Sequence, residues 1–243
     1  MRAGMTALAA AAVFLALSHT PGPALAGGTT LMFAGHAWHV RSGEGGPGPN
    51  AWNPDNAFVD PAGDLHLLIT RDVAGAWSCA EVWTDARFGH GSFAFEVVGR
   101  LDGMDPRAVL GLFTYGPPVS GPDGTNEVDI EVSQWSVPGS PAGHFTVYPA
   151  VAGPGYTTHA FDIPATTLAS TLRFDWQADH VSFSAWDDAA AGSIHAWTFQ
   201  PDEPLLQVPQ ASAPVHINLW LDDGAPPLQG LPVHVVLRGA TFG

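Results

Sequence analysis

The stretch that decides the fold reads Asn126-Glu127-Val128-Asp129-Ile130-Glu131 and continues into Val132. Three carboxylates alternate strictly with aliphatic residues. Successive side chains of a β-strand point to opposite faces, so the acids line one face and the aliphatic residues line the other. The pattern therefore predicts a strand whose apolar side joins a core and whose other side is acidic.

Three adjacent acids on one face repel one another. A sheet tolerates such a row when the acids perform chemistry. Mutual repulsion and partial burial raise the pKa of one carboxyl and leave a neighbour ionised, which is the division that acid–base chemistry requires. The alternative is a cation site. Alternating strand residues rarely supply the six to eight oxygens that calcium prefers, so the pattern favours chemistry.

Short apolar-alternating runs occupy most of the rest of the chain. Glycine (28 residues) and proline (22) make up more than a fifth of the 243 residues, and they fall between these runs. Many short strands joined by turn residues indicate an all-β sandwich or barrel. The predicted strands are residues 64–70, 78–83, 91–98, 109–115, 127–132, 144–148, 171–176, 180–186, 194–199, 215–221 and 232–237.

The first 26 residues have the features of a secretory signal peptide. A positive start precedes an apolar, alanine-rich run at residues 5–17, and Ala24-Leu25-Ala26 forms a small-x-small site that predicts cleavage near Ala26. Residues 27–243 contain no linker-like tract and are expected to form one domain. No later apolar run approaches the roughly 20 residues of a membrane span. The mature chain is expected to be extracellular or periplasmic.

Charge and cysteine content exclude several classes of protein. The chain carries 8 Lys and Arg against 23 Asp and Glu, a formal net charge of −15. Such a surface repels nucleic acid and acidic membrane faces, so neither is an expected partner. Cys79 is the only cysteine, which rules out an intramolecular disulfide and favours a small buried side chain.

Four stretches, in order along the chain, carry a family resemblance. They are Cys79-Ala80-Glu81 with the glycine-containing turn at residues 88–93, Leu112-Phe113-Thr114-Tyr115, the acidic strand, and Asn218-Leu219-Trp220. Together they resemble glycoside hydrolase family 16, the jelly-roll β-sandwich glucanases, with an E-x-D-x-E strand at residues 127–131. The resemblance extends from about Trp52 to the end of the chain.

The resemblance implies a single-domain, concanavalin A-like jelly roll and a role for each acid. Glu127 corresponds to the nucleophile, Asp129 to its hydrogen-bonding neighbour, and Glu131 to the general acid/base of a retaining endo-β-glycosidase. The α-carbons of Glu127 and Glu131 should lie roughly 13 Å apart on a strand. Long side chains and strand twist can bring the carboxyls to the separation of about 5 to 5.5 Å that retention requires.

The resemblance also implies a set of sugar contacts. Sugar rings have apolar faces edged by hydroxyls, so aromatic platforms beside polar groups suit them. For any single tryptophan, packing in the core is the competing interpretation. The aromatic candidates are Trp52, Trp83, Phe113, Tyr115, Tyr148 and Trp220, and the polar candidates are Asn50, Glu81 and Asn218.

Three positions depart from the lichenase-type pattern. Thr146 stands where an Asn is usual, Ser170 where a His is frequent, and Trp83 where an Arg is common. These departures leave open which linkage is cleaved, that of a β-1,3-1,4-glucan or that of a β-1,3-glucan. The absence of an extra residue between Asp129 and Glu131 favours an unbulged, lichenase-like strand.

The resemblance implies a neutral polysaccharide as the substrate and a monomer that needs no cofactor. No catalytic metal is expected, and a structural calcium is left open. Two alternatives to the hydrolase also remain open. One is a transglycosylase of the same fold, and the other is a carbohydrate-binding protein without turnover.

Overall fold

The computed structural model describes residues 29–243, and the segment assigned to a signal peptide lies outside the described residues. Almost all regular structure in the described part is β. The strands are β1 Thr30–Phe33, β2 His36–Val40, β3 Gly43–Gly45, β4 Asn50–Trp52, β5 Ala57–Val59, β6 Leu65–Arg71, β7 Trp77–Ser78, β8 Ala80–Phe88, β9 Gly91–Val98, β10 Ala108–Thr114, β11 Glu127–Val132, β12 Gly143–Tyr148, β13 Thr157–Phe161, β14 Ala169–Trp176, β15 Val181–Asp187, β16 Gly192–Phe199, β17 Ala213–Leu221 and β18 Val233–Phe242. The helical elements are the 3-10 turns Pro54–Asn56 and Asp222–Gly224 and one short α-helix, α1 Pro204–Gln207.

Two antiparallel sheets form the body of the molecule. The first has the order β1-β2-β8-β17-β10-β11-β12-β13, and the second β16-β15-β14-β9-β18-β6-β5, with β7 paired to β6. The strands β3 and β4 form a separate hairpin. The sheets face each other, with β17 against β6 and β11 against β14. This is a jelly-roll β-sandwich, which confirms the all-β fold class predicted from the sequence.

The core lies between the two sheets and follows the pleat. On β11, Val128, Ile130 and Val132 are fully buried and face the second sheet. On β14, Leu172, Phe174 and Trp176 alternate in the same way and are also fully buried. One apolar face per strand thus goes to the core, and the acids of β11 fall on the opposite face of the first sheet.

The structure contains strands that the sequence did not indicate, namely β1 to β5 and β13. The hairpin of β1 and β2 turns at Ala34 and Gly35, whose φ angles are 51° and 79°. Both positive values fit a two-residue type I′ turn, and an alanine at its first position gives none of the usual turn signal. The strand β13 is mostly polar and lies at a sheet edge, so its apolar alternation is weak.

Within residues 29–243, no helix is long and apolar enough to cross a membrane.

Candidate active site

The three acids lie on a central strand of the first sheet, with β11 paired to β10 and β12. We call the side of this sheet that carries Glu127, Asp129 and Glu131 the acidic face. Phe113 and Thr146 flank Asp129 on the neighbouring strands. Although this face points away from the core, Glu127 and Asp129 are only 4% and 3% exposed.

The surroundings of the acids give them different proton affinities. Burial raises the pKa of Glu127 well above its usual value, but a hydrogen bond shared with Asp129 acts in the opposite direction. Burial also raises the pKa of Asp129, and the charges of Glu127 and Glu131 and the shared hydrogen bond raise it further. The shared hydrogen bond therefore favours a proton on Asp129 over one on Glu127 within this pair.

The third acid is set apart from this pair. Burial raises the pKa of Glu131 to about 7, so a large fraction of this carboxyl is protonated at neutral pH. Glu127, which accepts a hydrogen bond, and Glu131, whose pKa is about 7, therefore share one strand face, two pleats apart. One can act as a nucleophile or base while the other donates a proton.

Two tyrosines border Glu127. Tyr148 is its cross-strand partner on β12, and Tyr115 follows β10 and donates a hydrogen bond to Asp123 at 3.2 Å. Burial and the nearby acids raise the pKa of both phenols. Both hydroxyls therefore remain protonated hydrogen-bond donors beside the acids.

Glu81, a predicted sugar contact, lies on the acidic face with both carboxylate oxygens already bonded. Its Oε2 accepts from Arg41 Nη1 at 2.5 Å, and its Oε1 is 2.8 Å from His216 Nδ1. Burial works against ionisation, but the hydrogen bond from His216 and the charge of Arg41 hold the pKa of Glu81 below its usual value. Glu81 is therefore a buried carboxylate held between two basic side chains.

Four rings form a row across adjacent strands of this face. His39, Trp83, His216 and Phe113 are successive cross-strand partners on β2, β8, β17 and β10. Their ring centroids are 5.3, 6.1 and 5.1 Å apart along the row, with interplanar angles of 26°, 14° and 28°. We call this row the ring stack. It encloses Trp83 between two histidines.

Asn218 is buried beside Glu131. Gly111 of β10 lies between them in the strand register, and a β-carbon at Gly111 would lie 2.4 Å from Asn218 Oδ1. Asn218 is 2% exposed, and its Oδ1 has no hydrogen-bond partner among the described residues. One oxygen of Asp129, Oδ1, is in the same situation. Unpaired buried oxygens on this face are suited to accept hydrogen bonds from a ligand.

Two further predicted contacts, Asn50 and Trp52, make their hydrogen bonds within the protein. Asn50 donates to Pro47 O and Leu221 O, and its Oδ1 accepts from the Cys79 thiol at 3.2 Å. Trp52 is 3% exposed, donates to Gly45 O and lies under the Arg41 guanidinium. Burial raises the pKa of the Cys79 thiol to about 12. These residues anchor the β3–β4 hairpin to β17.

Trp220 continues the acidic face beyond Asn218. It is 4% exposed and meets Trp135 edge to face at 6.0 Å, while Trp135 in turn meets His144. His144 is the cross-strand partner of Glu131, and burial lowers its pKa, so it stays uncharged beside that acid.

Two of the departures from the family pattern lie far apart. Thr146 donates to Thr158 on the acidic face, whereas Ser170 is buried on β14 of the other sheet.

The structure thus brings most predicted site residues onto one face, and their roles in substrate binding stay predictions. Arg41 and His216 were not singled out from the sequence. The alternation His216, Asn218, Trp220 on β17, with core residues between them, could have identified His216. No group of three His, Cys, Asp or Glu residues in the described part of the chain is arranged to hold a metal ion.

Comparisons with known proteins identify the fold. No family model matches the chain, and no curated protein matches it. Solved structures do match. A beta-glucanase of Bacillus licheniformis is 21% identical with a TM-score of 0.63, over 84% of this chain and 90% of that one. A glycoside hydrolase family 16 endo-glucanase from Bacteroides ovatus is 12% identical with a TM-score of 0.62, over 85% and 94%.

A third match is described differently. It is an immunostimulatory antigen and pseudo beta-1,3-glucanase of Mycobacterium tuberculosis, 19% identical with a TM-score of 0.61, over 84% of this chain and 90% of that one. The protein therefore has the jelly-roll fold of the solved β-glucanases. At these identities the likeness establishes the fold alone.

Proposed function

We propose that the chain is a secreted, retaining endo-β-glycosidase that hydrolyses a neutral β-glucan, with β-1,3-1,4- or β-1,3-linkages. The observation that carries this proposal is the division of protonation on β11. The hydrogen bond between Asp129 and Glu127 favours a proton on Asp129 over one on Glu127, while the pKa of Glu131 is about 7. A double displacement needs one carboxylate and one carboxylic acid that flank the scissile glycosidic bond.

Each acid has one task in each half of the reaction. The Glu127 carboxylate forms a bond to the anomeric carbon while the glycosidic bond breaks, and Glu131 gives its proton to the departing oxygen. In the second half, Glu131 takes a proton from water, and the water oxygen displaces Glu127 from the anomeric carbon. Asp129 supplies the hydrogen bond that keeps Glu127 ionised.

The surface charge supports a neutral polymer as the substrate. A net charge of −15 repels sulfated or uronic-acid polymers but has no long-range effect on an uncharged glucan.

A reducing-sugar assay on a panel of polysaccharides tests the proposal. Hydrolysis of lichenan or laminarin by the wild type and none by Glu127→Ala is the expected result. Early NMR of the anomeric protons should show the β-anomer first, and an α-anomer appearing first would replace retention with inversion. Products longer than the starting oligosaccharide would indicate transglycosylation.

A second candidate is a carbohydrate-binding protein without turnover. The pseudo beta-1,3-glucanase described for Mycobacterium tuberculosis favours considering it, because that protein has the same fold. Retardation in a polysaccharide-containing gel, without release of reducing sugar at any pH, would favour this candidate.

A further inference from the structure

We infer that His216 is a specificity-determining residue that binds a substrate hydroxyl through Nε2, and that Glu81 is a positioning residue that acts through it. This inference rests on the proposed function and concerns the same face. It changes the expectation drawn from the sequence, in which Glu81 touches the sugar and Trp83 stacks on it.

The protonation of His216 Nδ1 follows from its partner. The pKa of Glu81 is held below its usual value, so Glu81 is a carboxylate and can only accept hydrogen bonds. The 2.8 Å contact therefore requires Nδ1 to carry a hydrogen and donate it to Oε1. Nε2, on the other side of the ring, has no hydrogen-bond partner among the described residues. A sugar hydroxyl both donates and accepts, so it can pair with Nε2 in either protonation state.

Packing holds the imidazole in one orientation. His216 lies between Trp83 and Phe113 in the ring stack, and Tyr115 meets it edge to face at 5.7 Å. Arg41 fixes the other oxygen of Glu81, so the carboxylate cannot turn away from His216. The side chain of His216 is 12% exposed, which leaves part of it open to a ligand.

The same packing limits what Trp83 can do. His39 covers one face of its indole and His216 covers the other. Rings stacked along the direction of strand pairing present their edges, not their faces, to a ligand above the sheet. Sugar is therefore recognised here by hydrogen bonding at the edge of His216, and stacking on Trp83 is excluded unless the row opens.

A double-mutant cycle tests the relation between the two residues. His216→Phe keeps a ring between Trp83 and Phe113 and removes both nitrogens, whereas Glu81→Gln removes the charge that fixes Nδ1. Each single variant should raise KM for the cleaved glucan by about 3- to 10-fold, the loss of one hydrogen bond, with kcat within about twofold. The double variant should raise KM no further than the larger single change, because both act on one contact.

The matched control is His39→Phe, a substitution at the end of the ring stack that Trp83 separates from His216. Its KM should stay within about twofold of the wild type. Thermal unfolding of every variant shows whether the fold persists. If Glu81→Gln fails to fold, His216→Asn and His216→Phe decide the contact, and Asn, which can still hydrogen-bond, should recover part of the loss.

The inference is overturned if His216→Phe binds and cleaves with an unchanged KM, or if the effects of the two substitutions multiply, since Glu81 would then contact sugar independently. Hydrolysis by the wild type with these results leaves the proposed function intact. If the wild type binds without cleaving, the same cycle is read from retardation in polysaccharide gels. A wild type that neither cleaves nor binds any polymer overturns the proposed function and this inference together.

Discussion

At the scale of single residues, three similar carboxyl groups on β11 acquire different tasks from their neighbours. Glu127 receives a hydrogen bond, Asp129 gives one, and Glu131 has only its burial to shift its pKa. Charge repulsion alone would have raised the pKa of all three together. The shared hydrogen bond instead favours a proton on Asp129 over one on Glu127.

Glu127→Ala should abolish hydrolysis and preserve binding, because the carboxylate that attacks the anomeric carbon is gone while the rest of the face remains. Added azide should enter the vacated space, partly restore turnover and yield a glycosyl azide of inverted configuration. NMR of the product measures this. The opposite pattern, with the inverted azide formed by Glu131→Ala and a retained one by Glu127→Ala, would exchange the two roles.

Asp129→Asn should lower turnover by roughly 10²- to 10⁴-fold with little change in substrate affinity, as expected when acid–base function is impaired. The asparagine can still donate to Glu127, but it cannot take or release a proton. At high pH Asp129 can release its proton and then repels Glu131, whereas asparagine cannot, so Glu131 should ionise more readily in the variant and the alkaline limb of the pH–rate profile should move to lower pH. Near wild-type turnover with an unmoved profile would make Asp129 a structural residue of the strand.

At the scale of elements, the site depends on how closely β10, β11 and β17 approach. Gly111 has no side chain at the point where the Asn218 amide crosses towards Glu131. The adjacent strands can therefore place the Asn218 amide and the Glu131 carboxyl in cross-strand register on either side of Gly111. A larger residue on β10 would separate them without altering β11 itself.

Gly111→Ala should destabilise the protein by about 1 to 3 kcal/mol, because the added methyl group overlaps a buried side chain. Activity should fall as well, since Asn218 is displaced from its place beside Glu131. Urea unfolding and initial rates measure the two effects. Gly89→Ala is the control: its β-carbon would meet nothing within 4 Å, and it should stay within about 0.5 kcal/mol of the wild type. Equal midpoints for the two variants would contradict the close approach at Gly111.

At the scale of the whole molecule, the packed core of the sandwich holds the site in place, whereas the buried acids of the site lower the stability of the fold. The apolar faces of both sheets supply the core, whereas the buried acids add groups that resist ionisation. For Glu131, the folded pKa of about 7 lies above the value of roughly 4.3 for an unfolded chain. Between these values the folded state holds more protons, so this residue makes stability fall as pH rises.

Glu131→Gln should therefore lose less stability than the wild type between pH 5 and pH 8, because glutamine does not titrate. Groups away from the acidic face contribute equally to the two proteins, and loss of the Glu131 charge also lowers the pKa of Glu127 and Asp129, which changes the comparison in the same direction. Urea midpoints at the two pH values measure the difference. Parallel loss of stability in both proteins would show that the pKa of Glu131 is not raised in the folded state.

The sequence by itself determined the all-β class, the core strand faces and the single acidic face on β11. These features follow from the period of two along a strand, which is local and visible in alternating residues. The strand at residues 127–132 has the predicted bounds, and so does that at 91–98. The hairpin at Ala34 escaped prediction because its turn lacks the usual residues.

Only the tertiary structure decided which side chains pair. His216 lies 135 positions from Glu81 and Arg41 lies 40 positions from it, and no local pattern relates them. Their meeting depends on the order and register of β8 and β17, which non-local pairing sets. The same register places histidines on both sides of Trp83, and it places Gly111, which has no side chain, opposite Asn218. Local periodicity assigns a residue to a face, whereas strand register, a property of the assembled sheet, assigns its neighbours.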